Sequence, residues 1–185
     1  MPGPRLVLAS RSPQRRAILE QIGVDFEVVV PDVEEIGVGE PGAVVVENAL
    51  RKARAVTGEL VLGCDTGVVL DGRLYGKPRD EREAERFLRE LSGRRHEVVS
   101  GLALIEDGRE RTAAAWTGVS FRRLDDPTLR WYLASGEWRE RAGGYAIQAR
   151  GAALVASVDG DYLNVVGLPL ATLLELKPSL PLLHR

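Results

Sequence analysis

Short apolar runs and helix-period stripes alternate along the first half of the chain. Residues 6–9 are an unbroken apolar run and read as a buried strand. Ser12 and Pro13 follow as an N-cap and first helical residue, a pairing that opens a helix. Ile18, Leu19 and Ile22 supply its apolar stripe, and Gly23 ends it. Residues 26–30 predict a second strand. Residues 31–42 are rich in Gly, Pro and Glu, a loop composition. A helix is predicted over 43–56, with Val46, Ala49, Leu50 and Ala53 on one face. Residues 60–63 read as a third buried strand.

The second half carries hairpins. Residues 68–70 and 73–75 flank Asp71-Gly72, and 96–105 and 110–121 flank Asp107-Gly108; Asp-Gly pairs suit the tight turns of such hairpins. Helices are predicted over 81–91, over 127–135 with Gly136 after it, and over 169–176. A strand is predicted over 152–158, and the tail from 178 to 185 shows no role. Strands alternating with helices, then hairpins, predict an α/β fold with a mixed sheet.

Composition narrows the class. Apolar residues make up 44% and charged residues 28%, the balance of a folded globular chain. At 185 residues it suffices for a single domain over 1–185, or two lobes sharing a core. Lys plus Arg is 25 and Asp plus Glu is 27, a net charge of −2, which argues against a nucleic-acid surface. No apolar run approaches the roughly 18 residues of a membrane span, and no secretory pattern is present; a cytoplasmic protein is expected. The single cysteine, Cys64, excludes an intrachain disulfide and reads as a small core residue. His96 and His184 lack metal-ligand spacing. Trp116, Trp131 and Trp138 read as core or interface, which leaves a homodimer open. Of the 25 basic residues only Lys52, Lys77 and Lys177 are lysines.

Two glycine motifs fail on context. Residues 37–42 match G-x-G-x-x-G but do not join a strand to a helix, and Glu34, Glu35 and Glu40 would repel a pyrophosphate. Residues 72–77 superficially suggest a P-loop, but Pro78 stands where Ser or Thr is needed and no helix follows directly.

Five segments carry chemistry. Ser10, Ser12, Gln14, Arg15 and Arg16 gather at a helix N-terminus, where free N–H groups attract anions. Cations there oppose the helix dipole by about 0.3–1 kcal/mol. Capped helix and phosphate cradle are equal readings of that segment. Glu34-Glu35 in a loop and Lys52 on the next helix, on a face with Asn48 and Val45, read as solvated charges when taken alone. Asp65 follows the apolar run 60–62 and reads as a partly desolvated carboxylate at a strand end, a place for a general base; the alternative is an Asp capping a turn with Thr66. Lys77 between Gly76 and Pro78 suits a phosphate oxygen or an ordinary turn. Gly143-Gly144 before Tyr145 permits close backbone approach, and Gln148 offers both donor and acceptor to a base edge.

In order, these segments resemble the Maf family of nucleoside triphosphate pyrophosphatases. The matching text is Leu8-Ala9-Ser10-x-Ser12-Pro13, Leu50-x-Lys52-Ala53, Gly63-x-Asp65-Thr66, Gly76-Lys77-Pro78, Leu91-Ser92-Gly93, the run from Ala142 to Gln148 and the run from Gly160 to Pro169. The resemblance implies an elongated mixed sheet with flanking helices and two lobes around a central cleft, as in Maf and ITPase-like proteins. It implies hydrolysis of a nucleoside triphosphate to monophosphate and pyrophosphate with a divalent cation, Mg or Mn. Asp65 matches the proton acceptor. Ser10, Arg15, Lys52 and Lys77 match triphosphate-contacting positions, and Glu35, with Asp65, matches the metal-holding acids. Thr66 and Gln148 match positions linked to base preference, and Gln14 is expected among the substrate-binding residues. The run Tyr145-Ala146-Ile147-Gln148 resembles the branch acting on dTTP and UTP, although Gln14 stands where that branch usually has Arg. The alternative is a nucleotide-binding regulator of cell division with little turnover.

Overall fold

Residues 4–180 are described by the computed structural model; His184 and the tail beyond 180 lie outside them. The chain builds β1 (Leu6–Ala9), α1 (Pro13–Gln21), β2 (Phe26–Val29), α2 (Pro41–Arg54), β3 (Leu60–Leu70) and β4 (Arg73–Tyr75). Next come α3 (Glu81–Leu91), β5 (Arg95–Glu106), β6 (Arg109–Phe121), α4 (Asp126–Ala134), β7 (Val155–Asp159), α5 (Tyr162–Val166) and α6 (Leu170–Leu176), with short 3₁₀ turns at Ala142–Gly144 and Arg150–Leu154. The seven strands form one mixed sheet in the order β2-β1-β3-β5-β6-β7, with β4 also on β3. β1 is parallel to β2 and β3; the other pairings are antiparallel. The expected mixed α/β sheet is present.

Both Asp-Gly hairpins form. Asp71 and Asp107 sit at φ 51 and 49 with Gly72 and Gly108 at 75, the left-handed pair that matches the twist of the flanking strands. Other boundaries moved for local reasons. Helix α2 starts before residue 43 because Glu40 caps it, its carboxylate accepting the N–H groups of Gly42 (2.9 Å) and Ala43 (2.7 Å), with Pro41 in the first turn. The strand predicted over 152–158 opens as a 3₁₀ turn and becomes extended only at Val155. The five-residue α5, capped by Asp161, is too short to show a stripe. Leu180 is fully buried beside Leu168 and Leu173, so the start of the tail closes a core. Trp138 is buried, while Trp116 and Trp131 are exposed, so the three do not form one surface patch.

Strand β3 is far longer than its apolar run predicts. It runs eleven residues through Asp65 and Thr66 without a turn, so the turn-capping reading of that pair is excluded. Its even residues face two separate cores. Leu60, Leu62 and Cys64 join Leu6, Leu8, Leu19, Leu102 and Leu104 beneath α1 and α6. Val68 and Leu70 join Val98, Leu88, Tyr132 and Trp138 beneath α3 and α4. Between them the row turns polar: Thr66 and Ser100 pair across β3 and β5, with their hydroxyls 2.8 Å apart. On the opposite face α2 lies along β3 and β5, placing Ala49 and Ala53 against Val61 and Ala103. Two cores with a polar band between them are the lobes and the cleft.

Candidate active site

The cleft exists because β3 has an unpaired stretch. β1 pairs with Leu60 to Gly63 and stops, and β4 begins to pair at Val68. β5 occupies the other edge of β3 from Leu60 to Val69. Residues 64–67 therefore have no strand on the cleft side. Side chains alternate along a strand, so Asp65 points toward α2 and Thr66 toward α1. A cavity of about 650 Å3 wraps this gap; its lining includes Ser10, Glu35, Lys52, Asp65, Thr66 and Lys77.

On the α2 side, Val45, Asn48, Ala49 and Lys52 share one helical face and all are buried. Lys52 is only 8% exposed, so it is not the solvated lysine its pattern allowed. Its Nζ lies 2.7 Å from Asp65 Oδ1 and 2.7 Å from Glu35 Oε1. A buried ammonium is costly without such partners. Asn48 does work the sequence reading missed. Its Nδ2 donates to Asp65 Oδ2 (3.0 Å) and to the Ile36 carbonyl (2.9 Å), and its Oδ1 accepts the Ile36 N–H (2.8 Å). One amide thus fixes the catalytic candidate and the loop that presents Glu35. The available signal was an Asn inside an apolar helical face, where its helix propensity is poor.

On the α1 side the predicted cap forms: Ser12 Oγ accepts the Arg15 N–H. Arg15 is not a free cation. It is buried, and its guanidinium donates to the Gly167 carbonyl (2.8 Å), Ser10 Oγ (3.0 Å) and Thr66 Oγ1 (3.1 Å). It ties α1, β3 and the α5 end together under the cavity floor, while Arg16 is exposed. Ser10 Oγ also accepts the Ser12 N–H (3.1 Å).

The far wall holds Lys77, half-exposed, 3.0 Å from Glu140 Oε2; that hydrogen bond lowers the Glu140 carboxyl from its ordinary range. The Gly143 N–H donates to the Gly76 carbonyl at 3.0 Å, which locks the Lys77 loop to the glycine turn. Gly143 has φ 66, and a Cβ there would meet Val68 at 2.7 Å, so this turn needs glycine. Tyr145 reaches His96 Nε2 through its hydroxyl at 2.9 Å. Burial brings the His96 imidazole down to about 4. Gln148 is exposed at the rim and lines the cavity. Burial pushes the Cys64 thiol up, in keeping with a core residue.

A model of the Maf-like protein family matches residues 5–178. The chain belongs to the Maf family. Among curated relatives, the dTTP/UTP pyrophosphatase of Symbiobacterium thermophilum is 49% identical over 172 residues, 90% of this chain and 89% of that one. Those of Dictyoglomus turgidum and Thermococcus gammatolerans are each 46% identical, over 91% and 93% of this chain and 92% and 95% of theirs. Among solved structures, the Ham1 protein of Staphylococcus aureus aligns at a TM-score of 0.48 and 20% identity, over 63% of this chain and 71% of that one.

All nine predicted site residues of this Maf protein line the same cavity: Ser10, Gln14, Arg15, Glu35, Lys52, Asp65, Thr66, Lys77 and Gln148. They fall into two groups. Glu35, Lys52 and Asp65 are in direct contact, whereas Lys77 pairs with Glu140 across the cleft. Among the described residues no group of three or more His, Cys, Asp and Glu could hold a metal. Glu35 and Asp65 converge on one ammonium, so two carboxylates border one point. Mg²⁺ characteristically takes one or two carboxylates and completes its shell with water and substrate phosphates. The donor set fits an ion that arrives with a triphosphate, and not a site built from protein ligands alone. Arg141 and Glu140, also on the cavity wall, were absent from the sequence reading because they sit in a polar turn with no recognisable spacing.

Proposed function

We propose that this protein hydrolyses a nucleoside triphosphate, with dTTP and UTP as its preferred substrates, to the monophosphate and pyrophosphate. The observation that carries this reading is Asp65. It is a carboxylate at the unpaired edge of a central strand, ion-paired at 2.7 Å to a buried lysine and open to a 650 Å3 cavity. The names of the Maf relatives point the same way.

In this reading the triphosphate spans the cleft. Its oxygens meet the N-terminus of α1 on one side and Lys77 on the other, after Lys77 exchanges Glu140 for phosphate. Asp65 accepts a proton from the attacking water. Each carboxylate oxygen accepts more than one hydrogen bond, so its bonds to Lys52 and Asn48 orient it without consuming it. Lys52 holds Asp65 and Glu35 at fixed separation. Glu35 and Asp65 would hold Mg²⁺ or Mn²⁺ together with phosphate oxygens, and such an ion, when bound, neutralises charge that builds on the phosphates. Thr66 and Gln148 face the nucleoside, and Gln14 contacts the substrate from the N-terminus of α1. No helix among the described residues is long and apolar enough to cross a membrane, and a cytoplasmic location follows from the nucleotide substrates.

The test is pyrophosphate release with Mg²⁺ from a panel of triphosphates. Asp65→Asn keeps the shape but removes the proton acceptor, and its single amide oxygen can accept from only one of Lys52 and Asn48. Its kcat is expected to fall about 10²–10⁴-fold, the range of general-base contributions. Near wild-type turnover in that variant would reject the assignment, and equal rates on purine triphosphates would reject the pyrimidine preference.

A further inference from the structure

The guanidinium of Arg141 on the cavity wall has no role in the reading above. Arg141 precedes the 3₁₀ turn Ala142–Gly144, on the lobe opposite α1, and its Nη1 crosses to Gln14 Oε1 at 2.9 Å. A guanidinium only donates hydrogen bonds, so the Gln14 atom facing it is the carbonyl oxygen. The Ser12 hydroxyl donates to the same oxygen at 3.2 Å. Two donors from two lobes therefore fix the orientation of the Gln14 amide. Its Nε2 end has no protein partner among the described residues, and both Gln14 and Arg141 line the cavity. Arg141 Nε is itself buried without a partner. A guanidinium retained for the fold alone would have its buried N–H groups satisfied; this one has its closest hydrogen bond on Gln14.

We infer that Arg141 is a positioning residue: it locks Gln14 as a double hydrogen-bond donor aimed at an oxygen acceptor of the bound nucleotide, either a base carbonyl or a phosphate oxygen. The inference rests on the triphosphate reading of the cavity. It gives selectivity a physical basis. A carbonyl at the position Gln14 faces accepts from its amide N–H, whereas an amino group there sets donor against donor and leaves both unpaired.

The experiment measures affinity by calorimetry, with Mg²⁺, for three probes: α,β-imido-dUTP, α,β-imido-dCTP and inorganic tripolyphosphate. It compares wild type, Arg141→Met, Gln14→Met, the double variant and Arg141→Lys. Thermal melts establish that each is folded. Arg141→Met and Gln14→Met are each expected to weaken α,β-imido-dUTP about tenfold, and the double variant no more than Gln14→Met alone, as two residues acting through one contact require. Arg141→Lys, which still donates, is expected to stay within about threefold of wild type. Loss confined to the dUTP analogue places the acceptor on the base; equal loss for tripolyphosphate places it on a phosphate. Unchanged affinity in Arg141→Met overturns the inference, and so does a full tenfold loss from Arg141→Met in the Gln14→Met background. Pyrophosphate release by the wild type is scored separately. Turnover with an indifferent Arg141 discards only this inference; a wild type that neither hydrolyses nor binds these probes discards the triphosphate reading with it.

Discussion

At the scale of single residues, the side chain that organises the site is Lys52. A chain with 22 Arg among 25 basic residues places a lysine where two carboxylates approach one point. An ammonium is compact and can face Glu35 and Asp65 from between them, each at 2.7 Å. A guanidinium is planar and wider, with donors in a fixed fork. It would push Asp65 away from Asn48 or Glu35 away from the cleft. Lys52→Arg is therefore expected to lower kcat by about tenfold or more through misplacement of Asp65, the proposed base. Lys177→Arg, whose partner Glu106 lies in a different part of the sheet, should leave kcat within about twofold of wild type. Steady-state kinetics on both variants decide it, and equal effects from the two would remove the special role given to Lys52. The sequence already hinted at this, since Lys52 and Lys77 both fall in matching motifs. It did not show that one is buried between two carboxylates while the other is half-exposed and held by a single surface acid.

At the scale of elements, the decisive contact is helix α2 against the sheet. Gly63 on β3 and Gly101 on β5 let the helix backbone come close. A Cβ on Gly63 would lie 2.1 Å from the Ala49 carbonyl oxygen, and one on Gly101 would lie 2.3 Å from the Val45 carbonyl. Both obstacles are backbone, so relief requires moving the helix. Gly101→Ala is expected to cost about 1–3 kcal/mol, as overpacking does. It should also lower kcat, because Asn48 and Lys52 ride on the helix that moves. Chemical denaturation together with turnover checks both parts; a stability loss with normal kcat would show that the helix can retreat without disturbing Asp65. Element types were largely legible in the sequence. Both Asp-Gly hairpins, the Ser12-Pro13 helix start and the 81–91 helix follow local rules, and local rules are visible in a single sequence. What was not legible depends on partners distant in the chain. The run 60–63 looked like a complete strand because Asp65, Thr66 and Gly67 break the apolar pattern, yet β5 pairs with β3 through all of them. Polar residues continue a strand when a neighbour satisfies its backbone on one edge and a cleft replaces solvent on the other. The same holds for Arg15: its position in the first helical turn was plain, but its bonds to Thr66 and Gly167 join residues 51 and 152 positions away.

At the scale of the molecule, two cores share two long strands. β3, β5 and β6 span 11, 12 and 13 residues, and β3 and β5 each contribute to both the Leu6–Leu62 core and the Phe87–Tyr132 core. A lobe cannot melt without stripping partners from strands the other lobe needs, which predicts one cooperative unfolding unit over residues 4–180. His96 supplies a way to load one lobe only. It is buried in the far core against Phe121 and Tyr145, with its imidazole depressed to about 4. The unfolded chain takes up a proton on this His near pH 6.5, while the folded protein does not until about pH 4. Stability therefore falls as pH drops from 6.5 toward 4, and the loss is complete below that. At pH 5 the His96 contribution to the loss is about 2 kcal/mol. His96→Gln, which can still hydrogen-bond Tyr145, should lose correspondingly less between pH 7 and 5. If the molecule is one unit, the fluorescence of buried Trp138 in the far lobe and hydrogen exchange of the β1 amides in the near lobe should report the same acid-induced loss of stability. Exchange in β1 that ignores the His96 titration would show instead that the cleft divides two independently folding halves, with the active site at a joint between them.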